Sequence, residues 1–171
     1  MSEPHHCRLF IRLPAEPGFD DALKHALADR EVASVLLPAG IPDHAAREAV
    51  KRIQAADRPA LVIDDLARRS ALQADGVHLT DAAQVRAVRA KLGDGLVLGV
   101  ECPLERHACM VAAEDGADYV AVRIDARNFE EAEALVAWWH EMMTTPLVAL
   151  VETIGLDDRL KAYADFISPP V

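Results

Sequence analysis

The pattern Ala74-Asp75-Gly76-Val77 returns as Ala117-Asp118-Tyr119-Val120 and again as Ala164-Asp165-Phe166-Ile167, with the aspartates 43 and 47 residues apart. A weaker copy, Ala33-Ser34-Val35-Leu36, lies 41 residues before the first. Each copy closes an amphipathic stretch and opens an apolar one, so each period holds two strand–helix units. Strand–helix alternation with short links predicts a parallel sheet, either doubly wound or closed. Four periods make eight strands, which favours closure into a small TIM-type (β/α)₈ barrel.

The apolar runs are Leu9–Leu13, Ser34–Leu37, Ala60–Ile63, Gly76–Leu79, Leu96–Val100, Tyr119–Val122, Leu147–Val151 and Phe166–Ile167. They are short, rich in β-branched residues and not alternating, as strands buried on both faces should be. Helical patterns fall between them at about 19–28, 43–56, 66–73, 81–91, 103–114, 128–142 and 156–162. In the sixth, Phe129, Ala132, Leu135, Val136 and Trp139 recur at helical spacing, behind Asn128 as an expected N-cap. Residues 1–171 read as a single domain. Little chain remains after Ile167 for a final helix, so the last strand is expected to leave an open edge that a homodimer contact could cover.

The formal charge of −10 argues against nucleic-acid and anionic-membrane partners, and no apolar run reaches the ~20 residues of a spanning helix. The opening Met1-Ser2-Glu3-Pro4-His5-His6 lacks the basic start and apolar core of a signal peptide. Cys7, Cys102 and Cys109 are odd in number and form no CxxC pair, which suits reduced thiols in a cytoplasm. His5-His6-Cys7 reads as a frayed terminus rather than a metal site. Lys24, Lys51, Lys91 and Lys161 all fall on helical patterns, so no strand-end amine is available for Schiff-base chemistry.

The stretch from Leu61 through Ile63-Asp64-Asp65-Leu66 to Ala74-Asp75-Gly76-Val77-His78-Leu79 resembles a signature of the thiamine-phosphate synthase/TenI family. In that family an apolar–Asn–Asp end of strand three is followed by a helix and Gly-Ala-Asp-Gly-Val-His-Leu. Val97-Leu98-Gly99-Val100-Glu101-Cys102, then Gly116-Ala117-Asp118-Tyr119-Val120, is similar to its Ile-Gly-Val-Ser segment and following Gly-Ala-Asp-Tyr-Val. Together the two cover roughly residues 60–122, with weaker similarity at Pro146–Leu150. The resemblance implies a barrel joining a pyrimidine diphosphate to a thiazole phosphate with Mg²⁺, or, in the TenI branch, aromatising a thiazole. Expelled pyrophosphate carries concentrated negative charge, so that transfer needs cations around the diphosphate.

The family supplies those cations from a Gln-x-Arg-x-x-x-Lys segment after strand two and a Lys after strand six, and adds a Gly-Gly-Ile loop after strand seven. Here the corresponding segments are Pro38-Ala39-Gly40-Ile41-Pro42-Asp43, Arg123-Ile124-Asp125-Ala126-Arg127 and Val151-Glu152-Thr153-Ile154. Glu101 stands where the family has serine, and Glu152 sets a carboxylate where a phosphate should rest. Catalytic barrel residues sit at the C-terminal strand ends. The candidates there are Asp64, Asp65 and Glu101 for chemistry, with Asp64 or Asp65 joining Asp81 on Mg²⁺ as the resemblance implies. Arg123, Arg127, His78, Glu152 and Ser168 are candidate ligand contacts. Asp64 and Asp65 serve equally well as caps of the next helix, and His78 as a satisfied core histidine. Cys102 reads as a core thiol, and Asp75, Asp118 and Asp165, which precede strands, read as stability.

Three expectations follow. In the first, the mouth is an acidic ring of Asp64, Asp65, Glu101, Asp125 and Glu152 that binds a thiamine-related or cationic small molecule, or a divalent metal, without synthase activity. In the second, Arg123 and Arg127 replace the missing lysines and an authentic synthase survives. The third is a non-catalytic dimeric module docking through the last strand.

Overall fold

The computed structural model describes residues 6–155 and 157–171, so His5 and Leu156 lie outside the described residues. Strands β1 (Arg8–Arg12), β2 (Val32–Leu36), β3 (Ala60–Ile63), β4 (Gly76–Leu79), β5 (Val97–Glu101), β6 (Tyr119–Ile124), β7 (Leu147–Val151) and β8 (Phe166–Ser168) pair in chain order, all parallel. Between them run helices α1 (Phe19–Ala28), α2 (Asp43–Ala55), α3 (Leu66–Leu72), α4 (Val85–Leu92), α5 (Arg106–Glu114), α6 (Phe129–Met142) and α7 (Asp157–Leu160).

The sheet closes into a (β/α)₈ barrel. Ile167 pairs with Leu9 on one side and Ala149 on the other, and Ser168 is buried. The expected open edge is therefore absent, and a homodimer loses the surface that motivated it. Closure joins the first and last strands, a pairing that no local pattern in the sequence announces.

Alternation along each strand sorts two cores. In β6, Tyr119 and Ala121 face the interior with Phe10, Leu36, Leu61, Val148 and Leu150, while Val120, Val122 and Ile124 pack outward beneath the helices. Trp139 of α6 is buried in that outer layer, with its indole N–H donating to the Thr145 carbonyl at 2.7 Å. Gly99 makes room for the interior: a Cβ there would stand 1.8 Å from the Tyr119 ring. Only a residue without a side chain lets that phenol lie across the barrel.

At the N-terminal end the repeated aspartates do one job three times. Asp75 accepts from the amide of Ala60 at 2.8 Å, Asp118 from Leu98 at 2.7 Å and Asp165 from Leu147 at 2.8 Å. Each thus satisfies an amide at the start of the preceding strand with a charge-assisted bond, which contributes ~1.5–3 kcal/mol. The weak copy does not share this role, since the Leu9 amide goes to the Glu31 carbonyl.

Several local expectations need correction. Asn128 precedes α6, but its side chain turns back to accept from the Asp125 amide and donate to the Arg123 carbonyl, so it makes no cap bond. The pattern at 81–91 splits into a 3₁₀ turn (Ala82–Gln84) and α4, because Asp81 accepts from the Ala83 amide and starts a tight turn. Lys161 falls in the turn after α7, not on a helix. No helix among the described residues is long and apolar enough to cross a membrane.

Candidate functional site at the barrel mouth

The interior register that places Phe10, Gly99 and Ala121 inside carries Arg12, Glu101 and Arg123 two residues further along β1, β5 and β6, to the C-terminal mouth. Glu152 follows directly on β7. Arg12 Nε donates to Ser168 Oγ at 2.9 Å, and its Nη2 donates to the carbonyls of Val151 at 3.0 Å and Pro169 at 3.2 Å. Its Nη1 donates to Glu152 Oε1 at 2.5 Å. Arg123 grips Glu101 with two bonds, Nε to Oε2 at 2.8 Å and Nη2 to Oε1 at 2.7 Å, and gives its Nη1 to the same Glu152 oxygen at 2.7 Å. All three nitrogens of both guanidiniums thus donate to the chain itself.

The network continues down the interior. His78, fully buried, has Nε2 3.4 Å from Glu101 Oε1 and Nδ1 2.7 Å from the Tyr119 hydroxyl. Burial alone would raise the Glu101 carboxyl, but hydrogen bonds to His78 and Arg123 outweigh it and hold the group down at about 2. Burial also pushes the Tyr119 phenol well above its ordinary value. The path Tyr119–His78–Glu101–Arg123–Glu152–Arg12–Ser168 therefore spans the mouth as an ordered, largely neutralised polar chain. His78 is the satisfied interior histidine of the two readings offered for it.

Next along the barrel lie three aspartates, on the loops after β3 and β4. Asp64 has a left-handed backbone (φ 49°), a conformation that Asp tolerates better than most side chains. Its Oδ1 accepts from the Thr80 amide at 2.7 Å and its Oδ2 from the Thr80 hydroxyl at 2.5 Å, which ties the β3 loop to the β4 loop. Asp65 is the N-cap of α3, accepting from the Arg68 amide at 2.7 Å. Asp81 accepts from the Ala83 amide at 3.0 Å and the Gln84 amide group at 3.3 Å. Amide and hydroxyl donors, not cations, hold all three. The described residues contain no group of three or more His, Cys, Asp or Glu able to hold a metal ion, so this donor set does not fit Mg²⁺ as it stands. A cavity of ≈ 410 Å³ opens beside Asp81, lined also by Thr80, Ala82, Glu101, Cys102, Pro103 and Arg123. That volume lies within the range of small-molecule sites.

Residues 25–151 match the family described as thiamine monophosphate synthase. The chain is 37% identical over 186 residues to a thiamine-phosphate synthase of Rhodospirillum centenum, covering 95% of this chain and 86% of that one. It is 34% identical over 183 residues to a thiamine-phosphate synthase of Erythrobacter litoralis, covering 96% and 86%. The chain belongs to the thiamine monophosphate synthase family. Among solved structures, thiamine phosphate pyrophosphorylase from Pyrococcus furiosus superposes with a TM-score of 0.73 at 21% identity, over 96% of this chain and 86% of that one. Tryptophan synthase from M. tuberculosis gives 0.70 at 15% identity, over 98% and 84%. At those identities the likeness shows the shared barrel alone.

The resemblance read from residues 60–122 thus extends over most of the chain. Gly99 and Val100 lead directly into Glu101 at the mouth. Arg127 does not join Arg123: its side chain is 91% exposed and pairs with Asp125 on its own loop. Cys102 and Cys109 are buried neighbours, and the thiol contact between them together with burial raises the Cys102 thiol, so it packs rather than attacks. Arg12 is the residue that sequence reasoning missed. Its signal was a charged side chain at the C-terminal end of an apolar run, the position this fold reserves for function. With Arg12 at the mouth, Glu101 and Glu152 of the acidic ring are compensated by arginines and Asp125 by Arg127, while among the described residues Asp64 and Asp65 accept from backbone amides and a hydroxyl.

Proposed function

We propose that this member of the thiamine monophosphate synthase family binds a thiamine-related or cationic small molecule at its barrel mouth and does not carry out the synthase transfer. The observation that carries this reading is the engagement of Arg12 and Arg123 with Glu101 and Glu152. Stabilising a departing pyrophosphate takes cationic groups aimed at it, and the two guanidiniums at this mouth already face carboxylates. Asp81 and Glu101, in contrast, put negative charge on the wall of a cavity of ligand size, which favours a cation. Unpaired thiols suit a reducing compartment, the cytoplasm.

The test is a thermal-shift panel of thiamine, thiamine phosphate, Mg²⁺-pyrophosphate and spermidine. A ligand at ~100 times its dissociation constant adds about 2.7 kcal/mol to stability. Stabilisation by thiamine or spermidine with none from pyrophosphate is the expected outcome, and the reverse pattern rejects the proposal.

A second reading, an active synthase, draws on the named synthases that match nearly the whole chain. It requires Asp64, Asp65 and Asp81 to leave their present partners and gather on Mg²⁺, and Arg123 to turn from Glu101 and Glu152 toward a phosphate. Release of pyrophosphate from the pyrimidine diphosphate and thiazole phosphate would establish it.

A further inference from the structure

We propose that Glu152 is the specificity-determining residue of this mouth: its carboxylate fills an oxyanion position built by Arg12 and Arg123, and so excludes phosphorylated ligands. The inference rests on the binding role proposed above and names the residue that selects against one ligand class.

One oxygen, Glu152 Oε1, receives a bond from Arg12 Nη1 at 2.5 Å and another from Arg123 Nη1 at 2.7 Å. Two guanidiniums converging on a single oxygen is the arrangement that recognises carboxylate and phosphate. Each guanidinium is also anchored independently of Glu152. Arg12, with an 11% exposed side chain, is held by the buried Ser168 hydroxyl and two backbone carbonyls, and Arg123 by both oxygens of Glu101. The cradle is therefore expected to persist when the carboxylate is removed. Glu152 is 38% exposed at the start of the loop after β7, and Arg123 is 52% exposed. While it is in place, a phosphate entering would meet a like charge at contact distance, which disfavours binding strongly. Without it, the local balance is two arginines against Glu101, a net positive pocket that a phosphate oxyanion neutralises.

The experiment compares the wild type with Glu152→Gln and Glu152→Gly by calorimetric titration with inorganic phosphate and with thiamine phosphate, circular dichroism verifying each fold. Both variants change a partly exposed side chain, and either one that folds decides the outcome. The expected result is a gain in phosphate affinity of at least about tenfold, weakened by salt and abolished when Arg12→Gln is added. Glu152→Asp, which keeps the charge, should still reject phosphate. A folded Gln or Gly variant that binds phosphate no better than wild type overturns the proposal, as does a gain that survives Arg12→Gln. Tight phosphate binding by the wild type likewise overturns the inference, whereas synthase turnover with no variant effect on phosphate affinity would reject the proposed function separately.

Discussion

The two ends of the barrel use charge in opposite ways. At the N-terminal end, Asp75, Asp118 and Asp165 each accept one strand-opening amide, the same bond made at three of the four quarter-turns. At the C-terminal end, Arg12, Glu101, Arg123 and Glu152 come from four different strands or their ends, follow no repeat, and are linked to one another by four hydrogen bonds. Repetition marks the end that holds the barrel together. Irregularity marks the mouth, where charges satisfy partners up to 157 residues away.

The sharpest way to break the link between the ends is in the layer that separates them. Gly99→Ala would drive a methyl into the Tyr119 ring, and we expect a loss of more than about 3 kcal/mol, read as a lower urea midpoint. A midpoint within error of wild type would mean the interior is not packed as described.

Acid separates the ends next. The Glu101 carboxyl sits at about 2 in the fold against an ordinary 4.5, so its partners stabilise the fold fully above pH 5. That contribution, on the order of 1–2 kcal/mol once solvent screening at the open mouth is discounted, drains away as pH falls from 4.5 toward 2. Glu101→Gln should flatten this part of the stability–pH curve while lowering stability at pH 7; an unchanged acid limb would deny the network its role.

Asp118→Ala tests the other end. It strands the Leu98 amide and removes a partner of Arg89, for an expected loss of about 1–3 kcal/mol with ligand binding at the mouth unchanged. The smallest effect on stability belongs to Glu152→Gln, within about 1 kcal/mol because that pair is partly exposed. A ligand response that moves with Asp118, or a large stability loss at Glu152, would blur the division between the two ends.

The same contrast explains what could be read from the sequence. The aspartate repeat and the eight apolar runs gave the barrel, and α1 falls where its pattern predicts, because those signals are local and periodic. Arg12 escaped notice because its importance depends on the β1–β8 closure and on Glu152, neither visible from its neighbours. The open edge expected at β8 failed for the same reason. Asp64 and Asp65 stood equally for metal ligands and caps. The structure gives Asp65 the cap and Asp64 a tie to Thr80, a difference set by the left-handed turn at Asp64.

The measurement that bears most directly on the central claim is pyrophosphate release by the purified protein given the pyrimidine diphosphate, the thiazole phosphate and Mg²⁺. With Arg12 and Arg123 occupied by the chain's own glutamates, no release above the uncatalysed background is expected. Sustained release in proportion to enzyme concentration, lost in Arg123→Gln, would contradict the account and show that the glutamates yield their arginines to the substrate.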